Sequence, residues 1–416
     1  MVVNSMQDND WYKLDNVGKF FAATATNTIP NVFRFSVVLT EKIDKLILQQ
    51  ALYNTVEIYP NFNVNLKKGL FWYYLEENKI IPNVHLETLP ICYKLYNNSD
   101  DYLYRVSYYN NIINLEVSHI LSDGRGSCEF FKTLISYYLK IKYKINISIS
   151  TISSKIEKSE DSFDKYYNKG TTSKSSSKKI YLYKGRKNYK NSVRFMDMHL
   201  DVSKVLELSH KYNCTLTEFL VSVLIYSIRD EISIKDIDKY IKIDIPVDLR
   251  AYFQSLSCRN FFGLAFIYYK FKSKNDSLEE IVEEVKKQFK DNINQEKLAE
   301  RVNKMMSFEK NVFCRFVPIS IKNIVIKIAD KYSQQKGTTT TLSNIGIIKL
   351  NNKLDKYIKY INVLNSTSSF QFVICSYKND LSIGISTVYK HNNIIKNFCR
   401  YFSNYTDAII NVSEVK

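Results

Sequence analysis

The chain predicts an α+β fold in two lobes, each a mixed sheet with flanking helices, and three observations carry that expectation. Its 416 residues exceed one ordinary domain and suit two. Segments of period two and of period 3.6 alternate in both halves, with no short repeat. Between the halves, residues 147–179 are rich in Ser, Lys, Thr and Asp and end Gly170-Thr-Thr-Ser-Lys-Ser-Ser-Ser-Lys-Lys179, a linker by composition. The expected division is an N-terminal lobe over 1–146, a linker over 147–180 and a C-terminal lobe over 181–416.

The first half opens on residues 11–24, followed by a strand from Val32 to Leu39. Ile43, Ile47, Ala51, Leu52 and Val56 make one apolar face of a helix over Ile43–Ile58, closed by Pro60. Phe62–Leu66 and Leu70–Leu75 flank Lys67-Lys68-Gly69 as a hairpin. A second hairpin joins Leu103–Tyr109 to Ile112–Val117 through Asn110-Asn111. It runs into Ser118-His-Ile-Leu-Ser-Asp-Gly-Arg-Gly-Ser127 and a helix with Phe130, Phe131, Leu134, Ile135, Tyr138 and Leu139 on one face; Ser127 is the expected N-cap.

The second half restarts with a strand near Val193–Leu200 and a helix over Val202–Tyr212. Thr215-Leu-Thr-Glu218 is a capping box for an apolar helix to about Ile232. Ile241, Ile243 and Ile245 alternate with Lys242 and Asp244 as a half-buried strand that delivers Pro246-Val-Asp-Leu-Arg250. Phe261–Phe271 is a strand, Ser277-Leu-Glu-Glu280 caps a helix, and helix continues through 296–310 and 319–333. The end is β-rich: Thr340–Leu350, Tyr357–Leu364, and a hairpin of Phe370–Tyr377 with Leu381–Tyr389, before a final helix from about Asn393.

Composition narrows the classes of function. Seven scattered cysteines without a CxxC pair argue against a zinc site and a disulfide framework, so no metal is expected. Cys128 reads as a small apolar residue at a helix start. The N-terminus lacks a signal-peptide pattern and the most apolar helix, Phe219–Ile228, is too short to span a bilayer, so the expectation is a cytoplasmic protein with no membrane span. The net charge of +17 comes from dispersed lysines accompanied by Asn, Ile and Tyr, which argues against a nucleic-acid partner. It still suits attraction of an anionic co-substrate.

Two stretches carry chemistry. His119 sits at a strand exit, held by the sheet yet open to a cleft, and an imidazole of ordinary pKa near 6.5 is largely neutral at pH 7 and can accept a proton. Asp123 is too far round the turn to be a relay partner; its expected work is to pin the loop through a charged partner elsewhere. Gly124 is expected to take a backbone angle that a Cβ would resist. The second stretch is Pro246-Val-Asp-Leu-Arg250 with Arg259-Asn260-Phe-Phe-Gly263. An arginine at a strand end needs an anion, and Arg250 is expected to meet Asp123 across the lobes as a bidentate pair. His85, His199, His210 and His391 have no companion pattern and read as structural or exposed.

His119-Ile-Leu-Ser-Asp123-Gly124 resembles the HxxxDG signature of the chloramphenicol-acetyltransferase-like acyltransferases, which include alcohol acetyltransferases and condensation domains. Ser118 replaces the first of two adjacent histidines that several members carry. Pro-x-x-Leu-Arg and Asn-x-x-Gly resemble the second-lobe motif, and Thr341-Leu-Ser-Asn-Ile-Gly346 resembles a third, with a gap one residue shorter. The layout of the first half, a strand, a helix ending Tyr-Pro and a hairpin, is similar to that of bacterial and fungal alcohol acetyltransferases.

The resemblance implies an active-site channel between the lobes and transfer of an acyl group, acetyl foremost, from acyl-coenzyme A as co-substrate to the hydroxyl of an alcohol, the acceptor being a small alcohol or amine, with no bound cofactor. It implies His119 as the base, Asp123 beside it, Gly124 and Arg250 as motif residues, and Asn260, Gly263, Ser343 and Asn344 near substrate, a plain turn being the expected setting of the last two. Asn260 or a backbone N–H near Gly124 would serve the oxyanion. An acyl carrier protein as donor, with amide formation, is the alternative; a non-catalytic binding protein is the third reading.

Overall fold

Among the described residues three sheets organise the chain, and one strand of the second half that joins a first-half sheet sets where the halves meet. The computed structural model describes residues 11–96, 98, 101–149, 154–168, 178–311, 316–405 and 411–415. The first half carries β1 (Trp11–Lys13), α1 (Asn16–Thr24), β2 (Val32–Leu39), α2 (Lys45–Ile58), β3 (Val64–Lys68), β4 (Tyr73–Glu77), β5 (Val84–Leu86), β6 (Tyr104–Tyr109), β7 (Ile112–Ser118) and α3 (Gly124–Tyr143). Asp44 caps α2 by accepting from the Leu46 and Ile47 N–H groups, so that helix starts two residues later than its apolar pattern. Asn110 takes a left-handed φ of 49° at the β6–β7 turn, a conformation asparagine tolerates.

The stretch expected to be a pure linker holds two short helices, α4 (Lys155–Ser159) and α5 (Ser162–Tyr166). Lys158 and Phe163 are buried there, so part of this polar stretch is packed structure. Its Ser-rich tail, 169–177, lies outside the described residues.

The second half carries β8 (Arg194–Asp201), α6 (Val202–Lys211), α7 (Leu216–Arg229), β9 (Ile241–Asp248), α8 (Arg250–Phe253), β10 (Phe262–Tyr269), α9 (Leu278–Asn292), α10 (Gln295–Lys310), α11 (Ile319–Lys336), β11 (Thr340–Ile347), β12 (Ile358–Asn365), β13 (Phe370–Tyr377), β14 (Asp380–Thr387), α12 (Asn393–Tyr405) and β15 (Asn411–Val415). Both capping boxes form: Thr215 with Glu218 and Ser277 with Glu280. The short strands β1, β5 and β15 are additions to the expected set.

Among the described residues the sheets order as β1-β4-β3, as β12-β2-β7-β6-β5 and as β10-β9-β11-β13-β14-β8-β15. Both larger sheets are mixed, since β5–β6, β9–β11 and β11–β13 are parallel and the other pairs antiparallel. One strand crosses the expected division: β12, from the second half, pairs antiparallel with β2 over its whole length. All eight residues of β2 are buried in consequence. One core lies between the five-stranded sheet and α2–α3, another between the seven-stranded sheet and α7, α9 and α12. A smaller core of Val17, Phe163, Leu249, Phe261, Leu298, Val302 and Met306 draws on both halves.

Candidate active site

His119 stands one residue beyond β7, and its backbone N–H donates to the Asn31 carbonyl at 2.9 Å, which fixes it beside the start of β2. Phe21 of α1 stacks on the imidazole with centroids 4.8 Å apart and planes 22° from parallel; Phe33 of β2 lies at 4.6 Å and Phe262 of β10 at 6.3 Å. Three aromatic side chains, one from the second half, therefore wall the ring. Its Nδ1 is buried without a hydrogen-bond partner, while the residue as a whole keeps partial exposure. Burial pushes the imidazole down to about pKa 4 against the opposing pull of Asp123, so the ring is neutral at pH 7.

Asp123 does two jobs at once. It is the N-cap of α3, accepting from Gly126 N–H at 2.9 Å, and this replaces the expected cap at Ser127, which lies buried inside the helix with its hydroxyl unpartnered. Its carboxylate also accepts from Arg250 Nη1 at 2.9 Å and Nη2 at 3.1 Å, and from Phe261 N–H at 2.7 Å. Arg250 is saturated in turn: Nε donates to Ser257 O at 2.7 Å, Nη2 to Arg259 O at 2.6 Å and Nη1 to Asp248 at 2.8 Å. Burial opposes the charge on Arg250, but the two carboxylates outweigh it and hold the guanidinium above its ordinary pKa. The inter-lobe pair is thus bidentate and almost fully desolvated, with every strong donor satisfied.

A second clasp brings in Asp15, which belongs to neither of the two chemistry-bearing stretches. Asp15, buried at the N-cap of α1, accepts from Gly18 N–H at 2.6 Å and from Asn260 Nδ2 at 3.3 Å, with Arg259 Nη2 at 3.6 Å. Burial raises its carboxyl to about pKa 6, with Arg259 pulling the other way. Asn260 Nδ2 also donates to the His119 carbonyl at 2.9 Å. Its amide nitrogen is therefore committed to protein acceptors and holds the histidine's backbone, which favours the other of the two oxyanion candidates, a backbone N–H near Gly124. The signals were present as Asp15-x-x-Gly18 and as Arg259 beside Asn260, but nothing local joins residues so far apart in sequence.

The glycines divide differently from the expectation. Gly124 is the first residue of α3 and has no left-handed φ; a Cβ there would meet only Ile345 Cδ1, at 2.7 Å. The tight position is Gly126, where a Cβ would overlap the Cys258 carbonyl oxygen and lie 2.6 Å from Ser122 Oγ. Ser122 Oγ itself donates to that carbonyl at 2.6 Å, stitching the loop to the second half. Gly126→Ala is expected to cost at least about 1–3 kcal/mol through overpacking against backbone. Thermal melting checks this, and an unchanged midpoint would mean the loop is not seated on Cys258. At Gly263, in β10, a Cβ would come 3.3 Å from Leu249, a close but yielding contact.

Ser343 and Asn344 lie in strand β11 rather than a plain turn. The register with β13 shifts between Asn344 and Gly346, leaving Ile345 in a bulge. Asn344 shapes it, accepting from Gly346 N–H at 2.8 Å and donating to Thr217 Oγ1 at 2.9 Å; Gly346 supplies the left-handed φ of 84°. Asn344 is thereby used internally, and its bulge sets Ile345 against Gly124. Ser343 is partly exposed on the same strand.

Elsewhere, Cys128 is buried and its thiol is pushed up to about pKa 12, unsuited to a nucleophile at neutral pH. His199 lies between Asp197 (2.8 Å) and Asp380 (3.0 Å); burial opposes its protonation, but these carboxylates prevail and raise it to about 10.

A family model described as alcohol acetyltransferase matches residues 93–406. A search of curated proteins by sequence gives no match. Among solved structures the chain is similar to F. graminearum TRI101 complexed with coenzyme A and deoxynivalenol, at TM-score 0.66 and 10% identity over 97% of this chain and 99% of that one. It is also similar to TRI3 trichothecene 15-O-acetyltransferase from Fusarium sporotrichioides, at 0.63 and 9% over 95% and 94%. The first condensation domain of the CDA synthetase gives 0.62 and 9% over 98% and 99%. At these identities the likeness is one of fold, the two-lobed chloramphenicol-acetyltransferase-like architecture.

Proposed function

Because the chain belongs to the alcohol acetyltransferase family, we propose that it moves an acyl group, acetyl first among candidates, from a coenzyme A thioester to the hydroxyl of an alcohol, with His119 as general base. The observation that carries the reading is a neutral imidazole at the junction of the lobes, clamped between Phe21 and Phe33 and anchored through its carbonyl by Asn260. A fold relative complexed with coenzyme A supports the choice of donor.

With Nδ1 sealed, Nε2 is the nitrogen that meets the acceptor hydroxyl. It takes the proton as the alkoxide oxygen bonds to the thioester carbonyl carbon. The tetrahedral oxyanion then collapses, the C–S bond breaks, and the imidazolium returns the proton to the departing thiolate. The backbone N–H of Gly124, at the positive end of α3, is the oxyanion donor in this reading, since the Asn260 amide is occupied. Asp123 and Arg250 act as positioning residues, Gly263 leaves room for the Leu249 side chain, and Ser343 is assigned to the substrate side.

The test is a panel of acyl-coenzyme A donors with alcohols and amines, products read by mass spectrometry. Ester formation is expected. Transfer only from an acyl-loaded carrier protein, or only to amines, would replace this reading by the condensation-type alternative, and no transfer from either donor would favour the non-catalytic one. With the preferred pair, kcat/KM should stay level from neutral pH to about pH 5 and fall only toward 4, because the free enzyme's base is depressed. A fall centred near the ordinary histidine value of about 6.5 would contradict the caged base.

A further inference from the structure

α11 shows an apolar stripe to solvent. Ile321, Ile324, Val325 and Ile328 recur at i, i+3, i+4 and i+7 and are 52–64% exposed. Phe316, just before the helix, is 71% exposed, and Leu70, in the β3–β4 turn, is 70% exposed. Leu70 lies beside the start of the helix, its carbonyl accepting from Ile319 N–H at 2.9 Å. The other side of α11 is docked: Lys322 Nζ lies 3.6 Å over the Trp72 ring and donates to Phe71 O at 3.0 Å, and Asn323 donates to Tyr73 Oη at 2.7 Å. The helix is therefore fixed in place with its apolar side outward.

Charge decides what covers it. Lys327 and Lys331 are exposed and follow Ile324 and Ile328 by three residues each, so they line one flank of the stripe. A second copy of the chain would bring that flank, and a net charge of +17, against its own kind. An anionic bilayer complements both the lysines and the stripe. Among the described residues no helix is long and apolar enough to cross a membrane, so the geometry is that of a helix lying in the interface.

We propose that α11, with Leu70 and Phe316, is a peripheral docking face for anionic lipid surfaces. α11 packs on α1, whose Phe21 stacks on His119, so the docked face lies one helix away from the imidazole. The proposal rests on exposure and charge and does not depend on the reaction assigned above.

The experiment is co-sedimentation of the full chain with vesicles of phosphatidylcholine alone and of phosphatidylcholine and phosphatidylglycerol in a two-to-one mixture. Binding to the mixture, weakened by salt and weak or absent on phosphatidylcholine alone, is expected. Lys327→Gln with Lys331→Gln should weaken it about thirtyfold, at about 1 kcal/mol per lysine. Ile324→Asp with Ile328→Asp should abolish it while leaving the melting midpoint unchanged, because both side chains are exposed. Failure to bind the mixture, equal binding to both vesicles, or undiminished binding by the aspartate variant would each overturn the proposal. So would a parent that ignores vesicles but elutes as a dimer which the aspartate variant splits.

Discussion

His119→Ala should lower kcat by about 10²–10⁴-fold while the two-lobed fold persists. The loss is that of general-base assistance, with positioning of the two substrates still supplied by the surrounding lobes. Fold and base can be separated by a second readout. Burial depresses the imidazole to about pKa 4, so between about pH 6.5 and 4 the unfolded chain binds a proton at this residue that the folded chain does not. Its contribution to stability is present above 6.5 and is lost as pH falls through that window, by about 2 kcal/mol between pH 6.5 and 5. Asp15 has the opposite sign: its carboxyl is raised to about 6, so its contribution is full in acid and lost as pH rises through 6. Parent protein should therefore show partial cancellation on acidification, and His119→Ala should lose less stability than the parent, or gain. Turnover within a few-fold of the parent would remove the base assignment. A parallel acid response in both proteins would remove the depressed pKa.

Asp123→Ala is expected to be the most damaging single change to stability, at about 3–5 kcal/mol, with activity falling alongside. It deletes the cap of α3 and the acceptor for Phe261 N–H, and it strips Arg250 of its buried bidentate partner. What remains to the guanidinium is Asp248, whose side chain is 40% exposed, and backbone carbonyls. Because most of the cost is an uncompensated buried charge, Asp123→Ala with Arg250→Met should melt higher than Asp123→Ala alone. Denaturant titration of the two variants checks the order. A single variant as stable as the parent, or a double variant no better than the single, would show that the pair does not hold the lobes.

The elements with strong patterns were legible in the chain: the two hairpins, the two capping boxes and the strand delivering Arg250. The Asp123–Arg250 contact was legible because a buried strand-end arginine demands an anion and few motif carboxylates were at hand. Other features were hidden for physical reasons. The ion-pair pattern of Asp123 hides its second role as a helix cap, for which Ser127 offers the commoner signal, although one carboxylate has room for both. Asp15, Arg259 and Asn260 converge only after folding, from segments whose local patterns serve other ends. The importance of Gly126 over Gly124 follows from where Cys258 comes to rest, which no spacing reveals. α4 and α5 were masked by composition, since two five-residue helices need few apolar residues. β15 follows a helix that reads as the natural end of the fold.

The placement of β12 has a consequence for how the protein comes into being. β2 finds one neighbour, β7, within the first 118 residues, but its other neighbour is not synthesised until residue 365. Throughout most of translation the nascent N-terminal sheet carries an unpaired border in which only Arg34 and Ser36 interrupt the apolar run, the kind of template that recruits foreign strands. Closure across more than three hundred intervening positions makes the last step of assembly slow relative to local hairpin formation, and ties the maturation of both halves to a single late event.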